Sequence, residues 1–374
     1  MKIALIGNSD LSIYNYRYEL VEKLIKDGHS VSVITPNGNL ISDLVKMGCE
    51  YYETELDRHG TNPVKDLKLL NTYKRILKEI HPDYVFSYTI KPNIYGAMAC
   101  KKLGIPCICN ITGLGTAVEN KGIMQMITVM LYRLAFKKVQ TIFFQNADNM
   151  QFFVDKKLFV DKHKLLPGSG VNLTRFIPYE YPSDKTVEFV FISRLMKEKG
   201  IDQYLEAAEY IKGKYPHTRF HICGFCEKEY EDKMQTLGKN DTVIYHGMVK
   251  DIATVLKDVH CTVHPTYYPE GLSNVLLESC ACARPIITTD RAGCREVVED
   301  GINGYIVKQQ DAQDLIEKIE KFLSLSNAEQ KQLGLNGRRK VEREFDRNIV
   351  IEAYLKEIGS KANKKNKDLK SVEV

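Results

Sequence analysis

The 374 residues carry 44% apolar and 27% charged side chains, enough apolar material for two globular domains and too much for a disordered or fibrous chain. Net charge is +5 but unevenly spread: residues 1–170 hold 22 Lys and Arg against 16 Asp and Glu, 171–360 hold 26 against 30, and 361–374 hold 5 against 2. No apolar run reaches the roughly 18 residues of a spanning helix, which argues against an integral membrane protein, and the basic first half asks for an anionic partner.

The chain opens on a short apolar stretch, residues 1–8, with a single charge. It is too short for a secretory signal and reads as a first strand, so the expected compartment is the cytosol. Further strand candidates follow at 31–34, 51–53, 84–87, 107–110 and 141–144, with helix-like segments at 13–27, 63–80 and 93–103 between them. Such alternation is the texture of buried parallel strands joined by crossover helices. The turn after the first strand, Gly7-Asn-Ser-Asp, has one glycine, which lets backbone approach a ligand, but the G-x-G-x-x-G of a dinucleotide site is absent. No helix-turn-helix, RRM or zinc-finger pattern points to nucleic acid.

Residues 122–138 are long and apolar and end in basic side chains. They fit a helix lying in a membrane interface, with Arg133, Lys137 and Lys138 at anionic headgroups. A buried crossover helix with a Met-rich core face fits the same pattern.

The Gly-, Pro- and Ser-rich stretch from Pro167 to Asp184 reads as a linker. Beyond it the texture restarts, with strands expected at 188–192, 220–223, 243–245, 261–264, 285–288 and 305–307 and helices at 200–212, 273–282 and 311–323. The expected fold class is therefore α/β, two doubly wound domains facing each other across a cleft, with ligands at the carboxyl ends of the strands. The boundaries read as 1–170, 171–345, a helix over 346–360 returning to the first domain, and a basic, disordered tail over 361–374.

Ten cysteines show no paired zinc spacing. Cys223-Gly-Phe-Cys226 is either a redox pair or two small residues at a strand end.

Two features carry chemistry. After the strand at 188–192, Arg194 and Lys199 stand on a loop before a helix, a good place to neutralise phosphate. After the strand at 261–264, Glu270 falls in a turn and Glu278 about one turn into a helix capped by Ser273 or Asn274. Backbone N–H groups of Gly271, Leu272, Ser273 and Asn274 are expected to lie exposed around Glu270. Carboxylates so placed hold sugar hydroxyls by charge-assisted hydrogen bonds. Alone, the first feature is also what a solvated charged loop would show, and the second what an ordinary N-terminal capping acid with a surface Glu would show.

Together, Arg-x4-Lys-Gly and Glu-x7-Glu resemble the retaining glycosyltransferases of family four, which have the GT-B fold. The surrounding blocks are similar too: Pro265-Thr-Tyr-Tyr-Pro-Glu-Gly-Leu-Ser, Arg284-Pro-Ile-Ile-Thr-Thr-Asp, Ala292-Gly-Cys-Arg-Glu-Val-Val and Asp300-Gly-Ile-Asn-Gly-Tyr in the second half, and Asn110-Ile-Thr-Gly-Leu-Gly, Gln145-Asn-Ala-Asp and Pro167-Gly-Ser-Gly-Val-Asn in the first. The resemblance spans residues 1–358 and is densest over 188–308. It implies transfer of a hexose or N-acetylhexosamine from a nucleotide-sugar, UDP being the commoner donor, with retention at the anomeric carbon. By the same resemblance Arg194 and Lys199 bind the donor diphosphate, Glu278 the ribose hydroxyls, and Glu270 the donor sugar, as a positioning and electrostatic group. Gly7 and Thr112 join the donor site, Thr112 where many relatives carry His.

The chain has no Asp-x-Asp to hold a metal on the diphosphate, so no metal or other cofactor is expected. The Gly-Leu-Gly and Gly-Cys-Arg blocks resemble those of enzymes extending polyprenyl-diphosphate-linked saccharides for capsule, O-antigen or glycoprotein glycans. That implies a lipid-linked acceptor and a place at the inner face of the cytoplasmic membrane. Arg17, Tyr14 and Lys91 are its candidate contacts, with Arg17 near the mouth of the cleft. The competing readings are a transferase with a soluble acceptor, a GT-B epimerase or phosphorylase, and a two-domain sugar-binding sensor.

Overall fold

The structure is a computed structural model describing residues 1–57, 60, 62–119, 121–183 and 185–370. It divides into two units, one of residues 1–169 and 347–374, the other of 170–346.

The first unit runs β1 (Lys2–Ile6), α1 (Asp10–Lys26), β2 (Ser30–Thr35), α2 (Ile41–Lys46), β3 (Glu50–Glu53), α3 (Pro63–Ile80), β4 (Tyr84–Tyr88), α4 (Ala97–Leu103), β5 (Cys107–Ile111), α5 (Thr116–Glu119), α6 (Ile123–Ala135), β6 (Thr141–Phe144), α7 (Ala147–Asp155) and β7 (His163–Leu165). Its seven parallel strands lie in the order β3-β2-β1-β4-β5-β6-β7. β4 and β5 are buried along their whole length, as strands covered on both faces must be. One face packs Ile6, Val85, Cys109 and Ile142 under α3, α4 and α6; the other packs Leu5, Phe86, Ile108 and Phe143.

The second unit runs β8 (Val187–Ile192), α8 (Ile201–Lys214), β9 (Thr218–Cys223), α9 (Lys228–Lys239), β10 (Ile244–Tyr245), α10 (Ala253–Leu256), β11 (Cys261–His264), α11 (Asn274–Ala281), β12 (Ile286–Thr289), β13 (Gly304–Val307), α12 (Ala312–Leu323) and α13 (Asn327–Glu344). Its sheet is parallel in the order β10-β9-β8-β11-β12-β13. In both sheets the winding reverses beside the first strand, at β1/β4 and at β8/β11, and such reversals open ligand crevices at the carboxyl ends.

The chain then enters α14 (Arg347–Lys370), which packs on the first unit. Tyr354 is fully buried there, its ring 4.9 Å from those of Phe86 and Phe143. Helical backbone continues to Lys370, past residue 360, where the sequence reading ended the helix and began a disordered tail; the Lys- and Asn-rich stretch beyond Ser360 holds neither Gly nor Pro to break it. Residues 371–374 of that tail lie outside the described residues.

Local signals explain the boundaries. Ser9 caps α1 by accepting from the Ser12 N–H, which starts the helix at Asp10, ahead of the expected residue 13. Asn62 caps α3 with Pro63 in its first turn, and Ser326 with Glu329 forms a capping box on α13. Arg284 is wholly buried, and its guanidinium donates to the carbonyls of Leu256 (2.7 Å), Glu180 (2.8 Å) and Lys257 (2.9 Å), tying the stretch before β8 to its own sheet. The Arg284-Pro block is thus a structural clamp.

Candidate active site

In the second unit the charged residues gather at the carboxyl edge of the sheet. β8 ends at Ile192, and Arg194 stands on the loop behind it, 3.5 Å from Glu227, both half-exposed. A 3₁₀ turn, Lys197–Lys199, closes on Gly200 in the left-handed region at φ 78°. A Cβ on Gly200 would lie 2.1 Å from the Pro265 carbonyl, so glycine is required for this loop to press against the turn after β11. The Glu198 carbonyl accepts from Tyr267 N–H (2.9 Å) and Thr266 Oγ1 (3.2 Å), locking the two loops together.

That lock brings Lys199 into contact with Glu270, an ion pair with side chains 14% and 18% exposed. The ammonium also lies 4.7 Å from the centre of the Tyr268 ring. Beneath it, His264 ends β11, 2% exposed, with no partner on either ring nitrogen. Burial, with Lys199 adding to it, holds that imidazole neutral at a pKa of about 3.

Ser273 occupies the N-cap of α11, but its side chain makes no capping bond. Its N–H donates instead to Gly293 O at 2.7 Å. Gly271, Leu272 and Ser273 are buried and Asn274 half-buried, which corrects the expectation of a row of exposed N–H groups around Glu270. The cause is the loop after β12: Gly293, at φ 91°, comes so close that a Cβ there would be 2.8 Å from Glu270 Cβ. Glu278 lies one turn into α11, half-buried. Among the described residues no group of three or more His, Cys, Asp or Glu converges to hold a metal ion.

In the first unit the expected contacts are arranged differently. Gly7 is buried, and a Cβ on it would be 2.6 Å from Ser12 Oγ, so its bareness serves the first turn of α1. Arg17 is 2% exposed, which corrects its placement at an open mouth. Because α1 begins at Asp10, residue 17 falls two turns in, on the inward stripe of Ile13, Leu20 and Leu24. Its guanidinium lies 4.5 Å from the Tyr88 ring centre and donates to Tyr16 O at 2.6 Å, while Nε has no partner. The neighbouring hydroxyls of Ser87, Tyr88 and Thr89 are likewise buried and unpartnered. Thr89 itself sits at φ 70°, a strained value for a β-branched residue. Lys91 is paired with Asp66 at 2.7 Å, and Tyr14 packs edge-on to Tyr18. Thr112 follows β5, half-buried.

The helix over 122–138 is not a buried crossover. α6 buries Thr128, Tyr132 and Ala135 and exposes Ile123, Met124, Met126, Ile127, Met130 and Leu134. Among the described residues no helix is long and apolar enough to cross a membrane. Cys223 is buried and Cys226 half-buried, both are free, and burial raises both thiols, Cys223 to about 11. That disfavours the thiolate a redox pair needs.

Comparison with known proteins gives two family matches. Residues 176–340 match the model for glycosyl transferases group 1, and residues 2–146 the model for glycosyl transferase 4-like proteins. The chain is 27% identical over 95% of its length, and 98% of the relative's, to an N,N'-diacetylbacillosaminyl-diphospho-undecaprenol alpha-1,3-N-acetylgalactosaminyltransferase of Campylobacter jejuni. It is 25% identical to a UDP-Gal:alpha-D-GlcNAc-diphosphoundecaprenol alpha-1,3-galactosyltransferase of Escherichia coli, over 68% of this chain and 70% of that one. Its fold is similar to that of Anabaena HepE solved with UDP and glucose, at a TM-score of 0.79 and 16% identity, covering 96% of this chain and 100% of that one. The sensor reading falls with these matches.

Proposed function

The chain belongs to the GT-B glycosyltransferases, a group 1 half joined to a 4-like half, and on that premise we propose that it extends a saccharide carried on polyprenyl diphosphate. The sugar is a hexose or N-acetylhexosamine, taken from a nucleotide-sugar with a UDP leaving group and transferred with retention, in the assembly of a surface polysaccharide or glycan. The observation that carries this reading is the Lys199–Glu270 contact between the loops that follow the adjacent strands β8 and β11, with Arg194 on the first of those loops and Glu278 in the helix after the second.

The chemistry follows from charge. Breaking the anomeric bond leaves its electron pair on the nucleoside diphosphate, which gains negative charge as the sugar departs. Arg194 and Lys199, fixed in advance beside the helix that starts at Ile201, stabilise that charge. Glu278 takes the ribose hydroxyls, and Glu270 the hydroxyls of the donor sugar, with the 271–274 backbone beside it. The two cations do the work a divalent ion does elsewhere, so the reaction is metal-independent.

The acceptor end lies on the first unit. Arg17 is a buried cation that donates to a carbonyl and lies against an aromatic ring, at the β1/β4 reversal. The acceptor's phosphate supplies the anion, with Tyr14 and Lys91 flanking it. α6 brings the protein to the lipid: its exposed Ile and Met side chains enter the interface, and Arg133, Lys137 and Lys138 meet anionic headgroups at the inner face of the cytoplasmic membrane.

The test is a panel of UDP- and GDP-sugars with a polyprenyl-diphosphate-sugar acceptor, reading released nucleotide and product mass. One donor adding one sugar to the lipid is the expected result. Donor binding without lipid extension would move the acceptor to a soluble saccharide. Sedimentation with anionic vesicles tests α6: Met126→Glu with Met130→Glu should abolish co-sedimentation, and unchanged binding would sink the membrane role.

A further inference from the structure

Asn110, near the end of β5, is wholly buried and joins three other elements of the first unit. Its Nδ2 donates to Tyr354 Oη of α14 at 3.0 Å, and its Oδ1 accepts from Gln145 Nε2, just after β6, at 3.4 Å. Its main-chain carbonyl accepts from Asn93 Nδ2 at 2.8 Å. Asn93, Gln145 and Tyr354 are buried too. Buried amides and hydroxyls are costly unless partnered, so a connected set of them selects one arrangement of the segments it joins.

Asn93 carries that arrangement to the turn after β4. Its N–H donates to Thr89 O at 2.9 Å, closing the turn around Ile90, Lys91 and Pro92, with Thr89 strained at φ 70°. Strained backbone persists only where its surroundings over-determine it, and the Asn93 side chain docked on Asn110 does so here. From the other side, Gly115 at φ 69° lets the 110–115 loop lie against the same turn; a Cβ there would be 3.1 Å from Ile90 Cδ1. Lys91 rides on this turn, its ammonium 2.7 Å from Asp66, with side chains 16% and 15% exposed.

We propose that Tyr354 is a positioning residue for the acceptor end: through Asn110 and Asn93, the C-terminal helix fixes the turn that carries Lys91. The inference rests on the acceptor reading above, in which Lys91 flanks the phosphate of the lipid-linked saccharide. The Tyr354 ring is packed 4.9 Å from both Phe86 and Phe143, which aims its hydroxyl at Asn110. The residue is fully buried, so it acts by geometry and touches no ligand. Removing the hydroxyl withdraws the acceptor from the Asn110 amide and loosens the seat of the Lys91 turn, while every charge at the acceptor end stays in place.

Steady-state kinetics with the lipid-linked acceptor, beside titration calorimetry of the full chain with UDP, test this in Tyr354→Phe, which keeps the ring. Its kcat/KM for the acceptor should fall about tenfold, the order of one buried hydrogen bond, with UDP affinity within about twofold of wild type. Asn93→Leu, which cuts the route nearer to Lys91, should show the same split. Lys91→Met should also lower acceptor kcat/KM. Tyr354→Phe combined with Lys91→Met should then lie within about twofold of Lys91→Met alone, because Tyr354 has no ammonium left to position. Losses that multiply in the double variant, or wild-type acceptor kinetics in Tyr354→Phe or Asn93→Leu, overturn the positioning role. So does a parallel fall in UDP affinity, which marks a general loss of structure. A wild type that binds UDP but adds no sugar to the lipid removes the acceptor reading itself, as does full activity in Lys91→Met for the part given to Lys91, and the positioning role goes with either.

Discussion

The carboxyl edges of the two sheets both carry cations, and they keep them in opposite ways. At the edge of the second sheet, Arg194 and Lys199 ride on loops, partly exposed, each held by a carboxylate. At the edge of the first, Arg17 points inward from α1, 2% exposed, against the face of Tyr88. A loop cation with a carboxylate partner can exchange that partner for a phosphate at small cost, because the charge is matched before and after. A buried guanidinium held by a carbonyl and a ring has in neither of them a full counter-charge to exchange. On the proposed reading, the second edge suits a donor that must leave and the first an acceptor that must stay in register.

This contrast can be broken at several points. Lys199→Ala and Arg194→Ala should each lower kcat/KM by about 10² or more, the usual order for one preorganised electrostatic donor, and near-wild-type turnover in both would refute the donor edge. Arg17→Met should cut transfer to the lipid-linked acceptor by about tenfold, the order of one charged hydrogen bond, while UDP titrations remain unchanged. Loss of UDP binding in that variant would erase the distinction between the edges.

His264 sharpens the comparison through pH. It is held neutral when folded, at about 3, against 6.5 ordinarily, so between those values the unfolded chain binds the extra proton. Stability therefore falls as pH drops from 6.5 towards 3, by up to about 1.4 kcal/mol per pH unit. His264→Leu should flatten that part of the acid-unfolding curve; an identical slope in both proteins would show that His264 is not held neutral. The smallest effect expected is that of EDTA. Turnover should change by less than about twofold if Arg194 and Lys199 replace a metal, and loss restored by Mn²⁺ or Mg²⁺ would overturn that role.

Much of this was legible before any coordinates. Runs such as 84–87 and 107–110 announce buried parallel strands because strands covered on both faces are apolar throughout. Arg194, Lys199 and Glu270 stand out because they follow such runs directly. Tyr268, His264 and Gly293 did not stand out. A tyrosine beside a proline, a histidine ending an apolar strand and a glycine in a loop have ordinary local readings, and only the approach of β8, β11 and β12 gives them their neighbours. Arg17 was visible but misplaced. Its burial depends on α1 starting at Asp10, and element boundaries are the least certain part of a pattern reading. Tyr354 gave no signal at all, since its partners Phe86 and Phe143 lie more than 200 residues away in sequence.

The sequence by itself determined the alternation of strand and helix, the linker near residue 170 and the residue types able to neutralise a diphosphate, because periodicity, turn chemistry and charge are local properties. Tertiary structure alone decided which charges are paired, which are buried, and which face of α6 is left bare. Those outcomes depend on segments far apart in the chain arriving at the same strand ends, and no local pattern encodes that distance.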